Sequence, residues 1–262
     1  IISLDADCTV SKNYLCSIEQ QFAQHHPACC VVNFKHRVAS SVHEGNTHTL
    51  KQAIDQYEQY IRYYRHALKA IGFPYYYHTI GSAFAVSADA YVRVGGIGRQ
   101  QAGEDFYFLQ KLFEYGTTHE LHRTYVYPEA RFSDRIPFGT GPSLEKIIEE
   151  EGGVLRVYSP HAFVALQGLF ALVGQFYKQS LPTIKELIEQ LHPSITAYLK
   201  GHRLHTAIEE SNKNSSTLHT FTKRFFHHFN AFFIIKYLNY AHPLHFTLEP
   251  VEHVCDKIEA LL

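Results

Sequence analysis

Neither methionine nor tryptophan occurs among the 262 residues. Without methionine there is no initiator, and the chain opens inside an apparent strand, "IISLDADCTV", so it is expected to be part of a longer protein. Cysteine is sparse: five residues, an odd set in which Cys29 and Cys30 are adjacent. That count and spacing suit neither a disulfide framework nor a CxxC metal site, and they favour reduced thiols in a cytoplasmic setting. An excess of one charge is also missing. With 24 basic residues against 25 acidic ones the formal net charge is -1, which leaves no global field to recruit nucleic acid. No signal peptide or membrane span is evident. The most apolar stretches, 162–177 and 225–240, are short and interrupted by Gln167, Gln175, His227, His228, Asn230 and Lys236, and they read as buried helices. There is no internal repeat.

What is present points to a folded chain: 45% hydrophobic and 14% aromatic residues are enough for a large core, one main domain plus an appendage. Leu50, Ile54, Tyr57, Ile61, Tyr64, Leu68 and Ile71 recur at steps of three and four, which predicts an amphipathic helix ended by Gly72 and Pro74. A β-rich run follows over 75–86, in which Gly81 marks a bulge or a close approach to the backbone. Ser87 then caps a short helix stopped by Gly95 and Gly96. In "GEDFYFLQKLFEYG", Phe106, Leu109, Leu112 and Phe113 form the expected buried stripe and Gly116 the stop. An extended, turn-rich segment follows over 124–141. The order for residues 1 to about 142 is β, α, β, α, α, β. Beyond it the chain turns helical, with "LEKIIEEE", "PTIKELIEQL" opening at Pro182, a polar linker "EESNKNSS" and one aromatic helix over 225–240. Tyr57, Tyr60, Tyr63 and Tyr64, at helical spacing, are expected in packing rather than in sugar stacking.

The chemistry concentrates in two acidic motifs. Asp5-Ala6-Asp7 follows an apolar run, and alternation along a strand puts both carboxylates on one face beyond the strand tip. This pattern suits a metal clamp, a phosphatase nucleophile or an ordinary turn. Aspartates favour magnesium or manganese, hard ions usually completed by substrate phosphate oxygens, so a metal here implies a phosphorylated or nucleotide-linked ligand. About a hundred residues on, Glu104 and Asp105 fall in the first turn of a helix. The helix dipole there is expected to keep Asp105 ionised and ready to accept a proton.

The combination of "LDADCTVSKNYL", "GSAFAVSADAYVRVGGIGRQQAGEDFYFLQKL" and "VYPEARFSDRIPFGTG" resembles the catalytic half of bacterial family 2 glycosyltransferases of the GT-A fold. The resemblance covers residues 1 to about 142. It implies an α/β, Rossmann-like mixed sheet, incomplete on its N-terminal side, with residues 143–262 as an α-helical extension. Asp5 and Asp7 match the DxD pair that holds Mn2+ or Mg2+ and, through it, a nucleotide diphosphate. Asp105 matches the general base of an inverting transfer, and Glu104 a hydrogen-bonding partner of the sugars. His78, Gly81 and Ser82 lie on the strand that floors the acceptor pocket, and Arg131 and Arg135 match residues able to neutralise the departing diphosphate. A third metal ligand, often histidine in such enzymes, is not assigned; His119 and His122 lie downstream of the base. The implied partners are a nucleotide-sugar donor and a glycan or lipid-linked acceptor, in cell-envelope polysaccharide synthesis, with no nucleic acid. The family's nucleotide-binding half is not in this sequence, so the donor stays unnamed.

Two rival readings stand beside it. "DADCT" fits the opening motif of haloacid dehalogenase-like phosphatases, with Asp5 as nucleophile and Asp7 as acid, although the later acids run straight into a helix. Alternatively the chain is a non-catalytic interaction module. Lys223, Arg224 and Lys236 beside Phe225, Phe226 and Phe229 offer a place for the tail to meet a partner enzyme or the inner face of the membrane.

Overall fold

The computed structural model describes residues 1–38, 44–98, 103–130, 140–149 and 153–261, without the side chains of 44–47, 140–142, 146, 256 and 258–261. The chain forms two compact units: Ile1–Ile61 with Tyr77–Leu155, and Arg62–Tyr76 with Arg156–Leu262.

The first unit contains β1 (Ile2–Ser3), β2 (Thr9–Val10), α1 (Tyr14–His25), β3 (Cys29–Phe34), β4 (Arg37–Val38), the opening turns of α2 (Glu44–Ala70), β5 (Phe84–Val86), α3 (Ala88–Arg93), α4 (Glu104–Tyr115), β6 (Thr118–Tyr127), β7 (Glu129–Ala130) and α5 (Thr140–Glu149). It is mixed α/β. Five strands form a curled mixed sheet in the order β1-β5-β3-β6-β2, and β4 pairs with β7 in a separate ribbon. The central strand β3 is antiparallel to β5 and parallel to β6, with a register shift between Val32 and Asn33. Its "CCVVNF" is buried at every position but Asn33, and burial holds the thiols of Cys29 and Cys30 above their ordinary value. Tyr14 and Ile18 of α1 pack with Cys30, Val32, Ala83, Ala85 and Val126 into one core. Leu50, Ala53 and Ile54 of α2 join Ala130, Leu144 and Ile147 in another. Strand β1 is an edge, and beside it runs a groove of about 380 Å³ lined by Ile1, Ile2, Leu15, Ile18 and Phe22.

The structure corrects the expected order in several places. It adds α1 and β3, and it shortens the β-rich run over 75–86 to Phe84–Val86. The shortening has a local cause. Ala83 N–H turns back to the Ile80 carbonyl (3.1 Å) while its own carbonyl still accepts from Val32 N–H of β3 (2.8 Å), so pairing with the sheet ends at Ala83. On α4 the buried residues are Phe108, Leu109, Gln110, Leu112 and Phe113, while Phe106 is only half-buried. Phe108 takes its place because its ring meets Phe84 (5.8 Å) and Tyr91 (5.4 Å). The Ser87 cap of α3 is as expected, its hydroxyl accepting from Ala90 N–H at 3.1 Å.

The second unit continues with β8 (Arg156–Val157), α6 (Pro160–Ala171), α7 (Val173–Phe176), α8 (Leu181–Glu189), α9 (Pro193–Gly201), α10 (His205–Lys213), α11 (Leu218–His228), α12 (Ala231–Leu244), β9 (Glu249–Pro250) and α13 (Val251–Leu261). The expected polar linker over 209–216 is helical as far as Lys213, because Ile208 is buried and the Ser211 hydroxyl bonds back to the Ala207 carbonyl at 2.8 Å. The aromatic run is two helices rather than one. Asn230 starts the second by accepting from Phe232 and Phe233 N–H. Phe225 stacks on Phe229 (4.3 Å) and Phe176 (6.2 Å), so the aromatic side of this run lies in the unit's core. Lys223, Arg224 and Lys236 face solvent. Tyr63 and Tyr64 meet Phe163 edge-on in the same unit, as packing requires. Among the described residues no helix is long and apolar enough to cross a membrane.

His242, where α12 loses its helical dihedrals, is buried and uses both ring nitrogens: Nδ1 donates to the Leu238 carbonyl (2.8 Å) and Nε2 accepts from Ser159 N–H (3.1 Å). Only the neutral ring can do both. Burial depresses its pKa, outweighing the Leu238 bond and the charge of Glu249. The unfolded chain therefore binds this proton more readily than the folded one, and the stability this residue contributes is present above the ordinary histidine value and lost as pH falls below it. Denaturant unfolding should show stability declining between about pH 7.5 and 5.5. In His242→Gln, whose amide can donate and accept without titrating, the decline should be smaller; an equal decline would show that other groups cause it.

Candidate active site

The two acidic motifs meet in the first unit. Strand β1 stops at Ser3, and residues 4–8 form a turn in which Cys8 N–H donates to the Asp5 carbonyl at 3.1 Å. The turn, rather than strand alternation, gathers the carboxylates: ligand atoms of Asp5, Asp7 and Cys8 all lie within 4.8 Å of one another. The Cys8 thiol donates towards Asp7 Oδ1 (3.9 Å). Burial holds that thiol above its ordinary value, opposed by a hydrogen bond with Ser82 and reinforced by the charges of Asp5 and Asp7.

Register explains how distant residues arrive. β1 pairs antiparallel with β5, Ile2 opposite Ala85 and Ser3 opposite Phe84. Carried two residues on, this places the Asp5 end of the chain beside Ser82 and Gly81. Ser82 is buried. A β-carbon on Gly81 would lie 1.9 Å from Asp105 Oδ2 and 2.5 Å from its Cγ, so the Asp105 carboxylate sits against bare backbone that no other residue would leave open. Asp105 is delivered by α4, which starts at Gly103 (φ 76°) with Glu104 and Asp105 in its first turn and is anchored by Phe108.

The helix dipole does not decide the charge state of Asp105. Burial, then Glu104, then Asp5 push its carboxyl up to about 6. A dipole contribution of roughly 0.3–1 kcal/mol is too small to oppose desolvation and two like charges. The shift is thus upward rather than downward, although a carboxyl at about 6 is still mostly ionised at neutral pH. Asp5 is raised as well, by burial and then by Asp7 and Glu104. Four carboxylates thus share one small region.

His78 lies deeper. Its Nε2 donates to the Val32 carbonyl (2.9 Å), and its Nδ1 accepts from Ile80 N–H (3.4 Å), tying the segment before Gly81 to β3. His119 bonds to Gln21 and stacks near His25, and His122 is exposed; neither joins a three-ligand cluster among the described residues. Arg131 and Arg135 lie outside the described residues. One member of the cluster had gone unremarked in the sequence: Cys8, which adjoins the DxD pair and was visible by spacing alone. Comparison with protein-family models, curated proteins and solved structures finds no significant match to this chain.

The proton linkage of Asp105 is testable. Its folded pKa lies above the ordinary 3.8, so the folded state binds this proton more tightly, and the stability it contributes is lost as pH rises from the ordinary value through about 6. With a chelator present, Asp105→Asn should melt at a higher temperature than the parent at neutral pH, and the two should converge in acid. Equal melting temperatures at neutral pH would show that the carboxylate is not strained.

Proposed function

We propose that this chain carries the catalytic part of a GT-A-type glycosyltransferase that moves a sugar from a nucleotide-sugar donor to a hydroxyl of a glycan or lipid-linked acceptor, with inversion. The observation that carries this reading is the convergence of Asp5 and Asp7 with Glu104 and Asp105 at Gly81. Clustered carboxylates can hold a divalent cation, and two aspartate oxygens within reach of one ion fit Mn2+ or Mg2+ better than the thiol beside them does. A bound cation supplies positive charge for the leaving diphosphate. Asp5 and Asp7 are the residues that hold it.

Asp105, half-buried, accepts the proton of the acceptor hydroxyl. The acceptor oxygen then forms its bond to the anomeric carbon from the face opposite the donor's phosphate, the carbon–oxygen bond to that phosphate breaks, and the nucleoside diphosphate leaves with the electron pair. Glu104 hydrogen-bonds the sugars, and the bare backbone of Gly81 makes room for Asp105. A carboxyl raised to about 6 is mostly ionised at neutral pH yet basic enough to take a proton. The rival phosphatase reading places its second acidic motif at a strand end, whereas Glu104 and Asp105 open a helix and β1 lies at the edge of the sheet.

Two substitutions separate the roles. Asp7→Asn should weaken Mn2+ binding in the presence of a nucleoside diphosphate, read by electron paramagnetic resonance; unchanged affinity would remove the clamp. Asp105→Asn should leave that binding intact and lower sugar transfer by about 10²–10⁴-fold. Near-normal transfer would pass the base role to Glu104, and phosphate release from a small phosphomonoester would favour the phosphatase.

A further inference from the structure

Cys8 closes the acidic turn without belonging to the aspartate pair, and its surroundings are those of a ligand rather than of an inert thiol. Its Sγ lies 3.9 Å from Asp7 Oδ1, and ligand atoms of Asp5, Asp7 and Cys8 all fall within 4.8 Å of one another. Around a tetrahedral Zn2+, a sulfur at about 2.3 Å and a carboxylate oxygen at about 2.1 Å stand about 3.6 Å apart. Small side-chain rotations therefore seat such an ion on all three.

Two hydroxyls attend the same sulfur. Ser82 is buried and hydrogen-bonds the Cys8 side chain. Tyr14 is 2% exposed, and among the described residues its hydroxyl finds no hydrogen-bond partner. Cys8 packs against the core cluster that contains Tyr14, and burial, then the neighbouring charge of Cys8, hold the Tyr14 hydroxyl above its ordinary value. A buried donor without an acceptor needs a reason. A neutral thiol is only a weak acceptor, whereas a metal-bound thiolate is a strong one that outer hydrogen-bond donors stabilise. The orphaned hydroxyl fits the state in which Cys8 ligates an ion. Hard ions use the aspartates and gain little from sulfur; borderline and soft ions gain from all three groups.

We infer that Asp5, Asp7 and Cys8 form a three-ligand site for a thiophilic divalent cation of the Zn2+ class, with Ser82 and Tyr14 as hydroxyl donors to its sulfur. The ion takes two carboxylate oxygens and the sulfur, the thiol proton passes to solvent, and a further position stays open to water or an anionic ligand. The inference goes beyond sugar transfer and does not depend on it. Its consequence is that Zn2+ displaces Mn2+ from the aspartates.

The test is titration of the whole chain with Co2+, whose bond to sulfur gives a near-ultraviolet charge-transfer band that oxygen ligands do not give. The band should appear without any nucleotide, and Zn2+ should remove it by competition. Cys8→Ser should abolish the band and leave Mn2+ affinity unchanged, whereas Cys16→Ser, which removes the exposed thiol of α1, should leave the band in place. Tyr14→Phe deletes only the hydroxyl; it should keep the band and weaken Co2+ binding ~10-fold. Protection of Cys8 from iodoacetamide by Zn2+ but not by Mn2+, mapped by peptide mass spectrometry, reads the same contact in the unsubstituted chain should the serine variant fail to fold. No band in the parent, a band that survives Cys8→Ser, or equal alkylation of Cys8 with and without Zn2+ overturns the thiol ligand and leaves an Asp7-dependent Mn2+ site standing. Parental Co2+ affinity in Tyr14→Phe overturns the role of the hydroxyl. A Cys8-dependent band in a chain that transfers no sugar keeps this inference and sinks the transferase reading alone.

Discussion

Only residues 4–8 connect β1 to β2, and these two strands are the opposite edges of the five-stranded sheet. In a flat sheet four inter-strand spacings would separate them by about 19 Å. With the hydrogen-bonded turn from Asp5 to Cys8 holding its own ends within roughly 7 Å, the link from Ser3 to Thr9 reaches only about 18 Å at full stretch, which leaves a flat sheet no slack. The sheet must curl until its edges approach, and the twist of β3 against β6, sharpened by the shift at Val32 and Asn33, accommodates this. The acidic turn is thus the stitch that closes the arc. Asp5 and Asp7 are placed by the connectivity of the sheet, with little freedom left to their own loop.

Closure explains where the carboxylates gather, and their energetics explain why the gathering needs a purpose. Asp105 is set against Gly81, partly desolvated and near two like charges, and the neighbouring Asp5 is raised for the same reasons. A protein selected for stability alone would replace one of these acids with an amide or a small apolar residue. Instead α4 is anchored through Phe108, Leu109 and Leu112, and His78 braces the segment before Gly81 against β3. The surrounding packing offsets the cost of holding these raised carboxyls close together.

Much of this was legible in the sequence, for identifiable reasons. The α2 helix declares itself by a three-and-four spacing over six turns, α3 by the serine that caps it, and the start of α4 by glycine followed by two acids. The central strand β3 does not. Buried on both faces, "CCVVNF" lacks the polar alternation that marks a half-exposed strand, and its adjacent cysteines draw attention to redox chemistry instead. The tail misleads in a different way: serine, asparagine and lysine at 211–213 have linker composition, yet Ile208 and the Ser211 back-bond keep them helical. At the site, the residue types were readable but their electrostatics were not. A helix start suggests a depressed carboxyl when read locally, while the raised value comes from burial and from Asp5, a neighbour about a hundred positions away.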